Sequence, residues 1–402
     1  MKVAAGLAST ILIINYLDPS DYGVLALALA TFGVISAFTS LGLDSILFKT
    51  LIQDFDHRVL KESVILRLIM AVLTTFVLLI ALISFGGLWL YLLTFLTFSL
   101  YFTSLQGLKE AAFSQKKYEI IALAGGAGGS VRALSVAILV VFKAPLIIFT
   151  LPFLLDRITY VLVLACCQIS NLKSILEQRS FINYKLAKDG LPLMIATIAG
   201  LTYAAQDQWM IAFYMTNDDV GIYAAGIQPI LIMAFLPTII TNFIYHKIVD
   251  LRENHKSVNY IQSMYSLLFY FGVSVCILIF LLSEYLISFA FPSSYSGAIS
   301  VLKIYSLTLL VAFFQSLNNK ILVLENLQNL IPYRVISALV VNFVLNIYLI
   351  PVYGINGAAV ATVLSEIFIL ISYSFTSSTR QLFRYQLRAI NPLNIVILKT
   401  VD

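Results

Sequence analysis

The chain has 402 residues, 60% of them hydrophobic, and only 11% are Asp, Glu, Lys or Arg. Soluble domains carry about 25% charged residues, so a water-soluble fold is excluded: its surface could not be covered. The net charge of +5 lies in segments between long apolar runs, so it is read as membrane orientation and not as a nucleic-acid-binding face.

A membrane span needs about 20 mostly apolar residues. The apolar runs predict twelve helices, at 3–17, 23–43, 63–85, 88–106, 120–142, 144–167, 190–213, 220–244, 263–285, 297–317, 333–350 and 355–376. The expected fold is an all-α polytopic membrane protein. The first run is short because Met1 almost opens it. Asp18-Pro19-Ser20-Asp21 follows without a small-residue cleavage pattern, and a second run begins at once, so it is read as a truncated first helix and not a signal peptide.

With twelve spans, segments on the side of the N-terminus hold 20 of the 25 basic residues, while the opposite loops hold only Lys143. Arg67, Arg132, Arg157 and Lys303 fall within spans. The positive-inside rule then puts both termini in the cytoplasm. Trp89 and Trp209 fall at predicted outer helix ends, as an aromatic belt requires. Segment 107–119 reads as a short amphipathic surface helix.

The loops are too short for a catalytic domain, and no G-x-x-x-x-G-K-[ST] phosphate loop occurs. His57, His246 and His255 all lie in inner segments, and Cys166, Cys167 and Cys276 sit in apolar runs as small hydrophobes. Neither a cofactor nor a metal is expected, and no catalytic residue is assigned.

Residues 15–28 (NYLDPSDYGVLALA) and 213–226 (FYMTNDDVGIYAAG) match at an offset of 198, which superposes Tyr16 on Tyr214, Asp21 on Asp219, Gly23 on Gly221 and Ala26 on Ala224. The same offset sets Lys49 on Lys247. Each copy joins the first two helices of a six-helix half, so the halves share one orientation. The expected architecture is two pseudo-symmetric bundles, 1–180 and 181–402, around a central cleft.

The stretch Asn342 to Thr362 (NFVLNIYLIPVYGINGAAVAT) resembles the late signature of the multidrug/oligosaccharidyl-lipid/polysaccharide (MOP) exporter superfamily. The opening Tyr16 to Gly23 (YLDPSDYG), Leu41-Gly42-Leu43-Asp44, and Asp207 followed by Asp219 to Ala225 (DVGIYAA) are similar to its polysaccharide branch, the Wzx-type repeat-unit flippases. The resemblance implies a bacterial inner-membrane transporter, not an enzyme, acting on a lipid-linked oligosaccharide, polyprenyl-pyrophosphate-linked, for O-antigen, capsule or exopolysaccharide. It also implies other polysaccharide-assembly proteins as partners.

Six ionisable residues lie well inside spans: Arg132, Asp156, Arg157, Asp207, Lys303 and Glu366. At about 2.5–3.5 kcal/mol each against lipid, they must face one another or a wet cleft. Arg132, Asp156 and Glu366 fall near mid-membrane. Asp207 and Lys303 share a depth near the outer side and form either an ion pair or a functional pair. Asp156 and Arg157, being adjacent, point about 100° apart and do not neutralise each other. Arg67, counted as about four residues from its helix end, reads as a snorkelling anchor.

Arg132 follows a run of glycines, Gly125 to Gly129, suited to close packing or to local unwinding. Three bases in an apolar lumen suit an anionic head group, and Arg forks pair with phosphate oxygens. The expected substrate-lining residues are Arg132, Arg157, Lys303, Asn342 and Asn346, with Asp156, Asp207 and Glu366 as counter-ions or carriers of a coupled proton or sodium ion. Gln206, Gln208 and Gln228 add uncharged polarity. Asn342 and Asn346 share a helix face and either bind sugar hydroxyls or join helices. Pro152, Pro229 and Pro237 mark expected kinks. Two other readings stay open: a multidrug or cation antiporter of the same superfamily, and a membrane-embedded glycan polymerase or glycosyltransferase.

Overall fold

The computed structural model describes residues 2–177, 184–253 and 257–392. In chain order the helices are α1 (Lys2–Tyr16), α2 (Pro19–Ser40), α3 (Leu43–Gln53), α4 (His57–Phe85), α5 (Leu88–Thr103), α6 (Gly107–Ser114), α7 (Tyr118–Val141), α8 (Leu151–Cys167) and α9 (Ile169–Glu177). They are followed by α10 (Tyr184–Tyr214), α11 (Asn217–Met233), α12 (Phe235–Glu253), α13 (Ser257–Ala290), α14 (Ala298–Tyr305), α15 (Leu307–Leu324), α16 (Leu330–Ser372) and α17 (Arg380–Arg388). Among the described residues there is no strand.

Nine helical stretches among the described residues are long and apolar enough to cross a membrane. Each of the twelve expected spans falls on helix. Two of them share α16; α1 is only 15 residues long; and Gln206, Asp207 and Gln208 dilute the apolar character of α10. The chain divides into two compact units, residues 1–208 and 209–402. The division falls inside α10, and the boundary expected at 180 lies outside the described residues.

In the first unit, Asp18 caps α2: its carboxylate accepts the Asp21 backbone N–H at 2.8 Å, with Pro19 in the first turn, where its missing N–H costs nothing. The chain leaves α2 through two consecutive left-handed residues, Leu41 (φ 52°) and Gly42 (φ 65°), which turn it sharply into α3. Gly42 is also a point of close approach. A Cβ there would stand 2.6 Å from the Met194 backbone nitrogen of α10. Leu43, Leu47, Leu51, Leu60, Leu108 and Leu164 fill a core among α3, α4, α6 and α8.

Helix α6 belongs to that core. The expected surface helix at 107–119 is half right: α6 continues α5 almost without a break, and Gly107, Leu108, Glu110, Ala111 and Ala112 are buried. Its small residues let α3 lie close, which a solvent-facing helix would not need.

The glycine run packs helices and does not unwind α7, which stays continuous through it. A Cβ on Gly129 would meet Ala5 at 3.3 Å and Lys2 at 3.4 Å, while one on Gly128 would meet the Asp156 carbonyl at 2.8 Å. Gly129 therefore admits α1 and Gly128 admits α8.

The second unit repeats the entry device of the first. Thr216 caps α11 in a reciprocal capping box with Asp219, 198 residues after Asp18 and Asp21. The sequence repeat is thus a pair of equivalent helix starts. Pro229 lies inside α11, and Pro237 stands in the first turn of α12, so a helix break at Ala234 separates the two prolines. Pro152 corrects the expectation of a kink: it occupies the first turn of α8.

Helix α16 is two antiparallel arms joined at Gly354, whose φ of 58° and ψ of −140° are not helical. Asn342 donates to Thr362 Oγ1 at 3.2 Å, although a straight helix would hold these residues about 30 Å apart. Arg334, taken from sequence as interfacial, is buried. It stacks 4.0 Å over the Tyr373 ring and donates to Ser372 and Thr379 at 3.2 and 3.0 Å, clamping the far end of the second arm.

Candidate functional site

Within the first unit the span-embedded charges form two clusters, and α8 supplies one residue to each. Asp156 and Arg157 point apart, as adjacency requires, so each meets a different set of neighbours.

Asp156 faces α7. Its carboxylate lies 3.9 Å from Arg132 Nη1. Arg132 also donates from Nε to Ser9 Oγ of α1 at 3.0 Å and sits 5.3 Å from the Phe153 ring centroid. Gly6 leaves room for the guanidinium: a Cβ there would stand 2.7 Å from Arg132 Nη2. Arg132 is therefore a three-helix junction as well as a cation.

Arg157 faces the other way, into a cavity of about 190 Å³ lined by α2, α3, α4, α8 and α10 and by the end of α5. Two further charged residues line it, Arg67 and Asp44. Arg67 Nη2 contacts Asp44 Oδ1 at 2.6 Å. Arg67 is only 3% exposed, whereas the Asp44 side chain is 41% exposed. The snorkelling assignment of Arg67 is overturned here. Helix α4 starts at His57, capped by Asp56, so Arg67 stands about 15 Å along it, and its head turns inward to Asp44. Glu110, also buried, pairs with Lys109 at 3.2 Å.

In the second unit Lys303 Nζ lies 5.6 Å over the Phe280 ring, and Glu366 accepts a hydrogen bond from Gln315 Nε2. Asn342 and Asn346 are fully buried and joined at 2.8 Å, with Asn342 bonded across to Thr362 and Ser365. Their amides hold the α16 arms together. Asp207 is buried in α10, at 5% exposure. It belongs to the first unit and Lys303 to the second, and each unit is described by itself.

Sequence reasoning named Arg132, Asp156 and Arg157 as candidates and did not name Arg67 and Asp44 as a pair. The signal was present in Leu41-Gly42-Leu43-Asp44, where a left-handed turn delivers a carboxylate to the wall of a neighbouring span.

A chain whose described residues form long apolar helices, with buried arginines and a small charged cavity among them, is a multi-pass membrane protein. Residues 15–260 match the family model described as polysaccharide biosynthesis protein. The chain belongs to that family, on the polysaccharide branch of the MOP exporter superfamily. The fold is similar to that of the lipid II flippase MurJ in an inward closed conformation, with a TM-score of 0.72 and 17% identity over 100% of this chain and 91% of that one. It is similar to an inward-facing multidrug resistance MATE family transporter of the MOP superfamily, with a TM-score of 0.62 and 16% identity over 100% of this chain and 96% of that one. A MOP superfamily transporter from Pyrococcus furiosus gives a TM-score of 0.62 and 15% identity, over 98% and 92% of the two chains. No curated relative matches the sequence.

Proposed function

We propose that the protein is a flippase that moves an anionic lipid-linked oligosaccharide, carried on a polyprenyl pyrophosphate, from the inner to the outer leaflet for polysaccharide assembly. It works in a bacterial inner membrane with twelve spans and both termini cytoplasmic, beside other polysaccharide-assembly proteins. The observation that carries this reading is the cavity beside Arg157, where two guanidiniums meet one carboxylate among the helices of a polysaccharide-biosynthesis protein. Arginine pairs bidentately with phosphate oxygens, and its charge does not titrate away. Arg132 and Lys303 add cations along the spans, and Asn342 and Asn346 add amides. Asp156, Asp207 and Glu366 serve as counter-ions or take up a coupled proton or sodium ion. A cation antiporter on the same fold would need a cavity dominated by carboxylates, and a glycan polymerase a substantial outer loop. The test is a deletion strain with and without the gene, scored for lipid-linked glycan in each leaflet. The proposal requires the glycan to accumulate on the inner leaflet without the gene and to reach the outer leaflet with it. Equal outer-leaflet exposure in both strains rejects it.

A further inference from the structure

Arg67 holds more binding capacity than its surroundings use. A guanidinium has five N–H donors in a fixed fork. Here Nη2 serves Asp44, while Nε and Nη1 are buried with no hydrogen-bond partner. A buried charged donor left unpaired is costly, so such a group marks a place where a partner belongs. Arg67 lines the cavity, and Arg157 lines it too.

The rest of the lining fixes what that partner is. The hydroxyls of Ser36, Thr39, Ser40, Thr103 and Thr197 all donate to carbonyls of their own helices, at 2.7–2.9 Å. The remaining donors on the wall are the Gln106 amide and the guanidinium N–H groups, and the charged guanidiniums, as the stronger donors, select an oxyanion. At about 190 Å³ the cavity is smaller than the roughly 300–1,000 Å³ of a pocket for a drug-sized ligand, so it suits a head group and not a glycan. Charge narrows the choice further. Two guanidiniums balance a dianion only if Asp44 lets go, and with Asp44 engaged the cavity carries one surplus positive charge. The two partners differ in their freedom to move. Asp44 is 41% exposed and can turn to water, while Arg67 is locked in.

We infer that this cavity is a diphosphate-class anion site in which Asp44 occupies Arg67 as an internal stand-in, and that an incoming diphosphate displaces the carboxylate and takes the fork together with Arg157. The inference rests on the flippase reading for the origin of the anion, but the site stands or falls on binding alone. Asp44 is then a positioning residue that sets affinity and allows release, since its return to Arg67 competes the anion off.

The test uses the purified full-length chain in detergent, titrated calorimetrically with inorganic pyrophosphate and, separately, farnesyl diphosphate. Wild type is expected to bind pyrophosphate, Arg67→Lys to bind at least tenfold more weakly, and Asp44→Asn to bind severalfold more tightly, because the competitor is gone. Asp44→Asn changes no volume, and its melting midpoint should rise more on adding pyrophosphate than that of wild type. Tighter binding of farnesyl diphosphate than of pyrophosphate assigns the site to a lipid head group, and equal binding to the free anion. Both support the site. No binding to wild type, unchanged binding in Arg67→Lys, or unchanged or weaker binding in Asp44→Asn overturns it. If the binding pattern holds while the gene fails to move glycan between leaflets, the transport reading fails and the site survives. If glycan moves while the variants bind as wild type, the site alone fails.

Discussion

Gly128 and Gly33 make a matched pair for testing whether α8 is held in place by the glycine run. Replacing either by Ala removes the same backbone entropy penalty, worth about 0.5–1 kcal/mol in a helix interior. At Gly33 a Cβ meets nothing within 4 Å, so Gly33→Ala should keep that gain. At Gly128 the Cβ would stand 2.8 Å from the Asp156 carbonyl oxygen, a backbone atom that cannot rotate away. Helix α8 must shift, at an overpacking cost of about 1–3 kcal/mol, and carry Asp156 and Arg157 with it. The two variants should therefore differ by about 1–3 kcal/mol. At ~2–4 °C per kcal/mol for units of this size, thermal unfolding in one detergent should separate their midpoints by several degrees, with Gly128→Ala the lower. Gly128→Ala should also lose transport, because both arginine clusters lean on α8. Equal midpoints and equal transport would refute the packing argument and the placement of the two clusters.

Arg132→Ala and Arg157→Ala should each abolish glycan export at normal protein abundance, and Lys should rescue only partly, since a point charge replaces a fork. Full export in both Ala variants would remove their role. In a background lacking Cys166, Cys167 and Cys276, single cysteines near Asp218 should label from outside and those near Lys116 only after permeabilisation; the reverse pattern would invert the topology. Asp207→Asn and Lys303→Met should each lose export, and a double-mutant cycle with abundance measured alongside separates scaffold from function. Recovery of both export and abundance in the double variant would reduce the two residues to a structural pair.

The helices were legible because a bilayer leaves little choice: a long apolar run with its backbone satisfied internally is a helix. The repeat was legible for a local reason, since a helix start needs a cap, and Asp18 and Thr216 are capping residues at one offset. Arg67 was misjudged because distance from the end of an apolar run does not say where a side chain turns: its head is buried against Asp44 of α3 and does not reach out along α4. The turn motif Leu41 to Asp44 was legible, but Arg67 as the partner of Asp44 was not, because the contact depends on α3 and α4 meeting in space. Asn342 and Asn346 read correctly as a shared face, and the gap between the runs 333–350 and 355–376 marked the reversal now seen at Gly354, but which residues of the second arm they meet depends on how the two arms pack.

The most direct measurement of the central claim is translocation in vesicles. Purified protein would be reconstituted with a fluorescent polyprenyl-pyrophosphate-linked oligosaccharide, and the label in the outer leaflet quenched at timed intervals. The account predicts faster equilibration across the bilayer with wild type than in protein-free vesicles, and loss of that rate in Arg157→Ala at equal reconstitution. Rates equal to those of protein-free vesicles, or an Arg157→Ala rate equal to wild type, would contradict it.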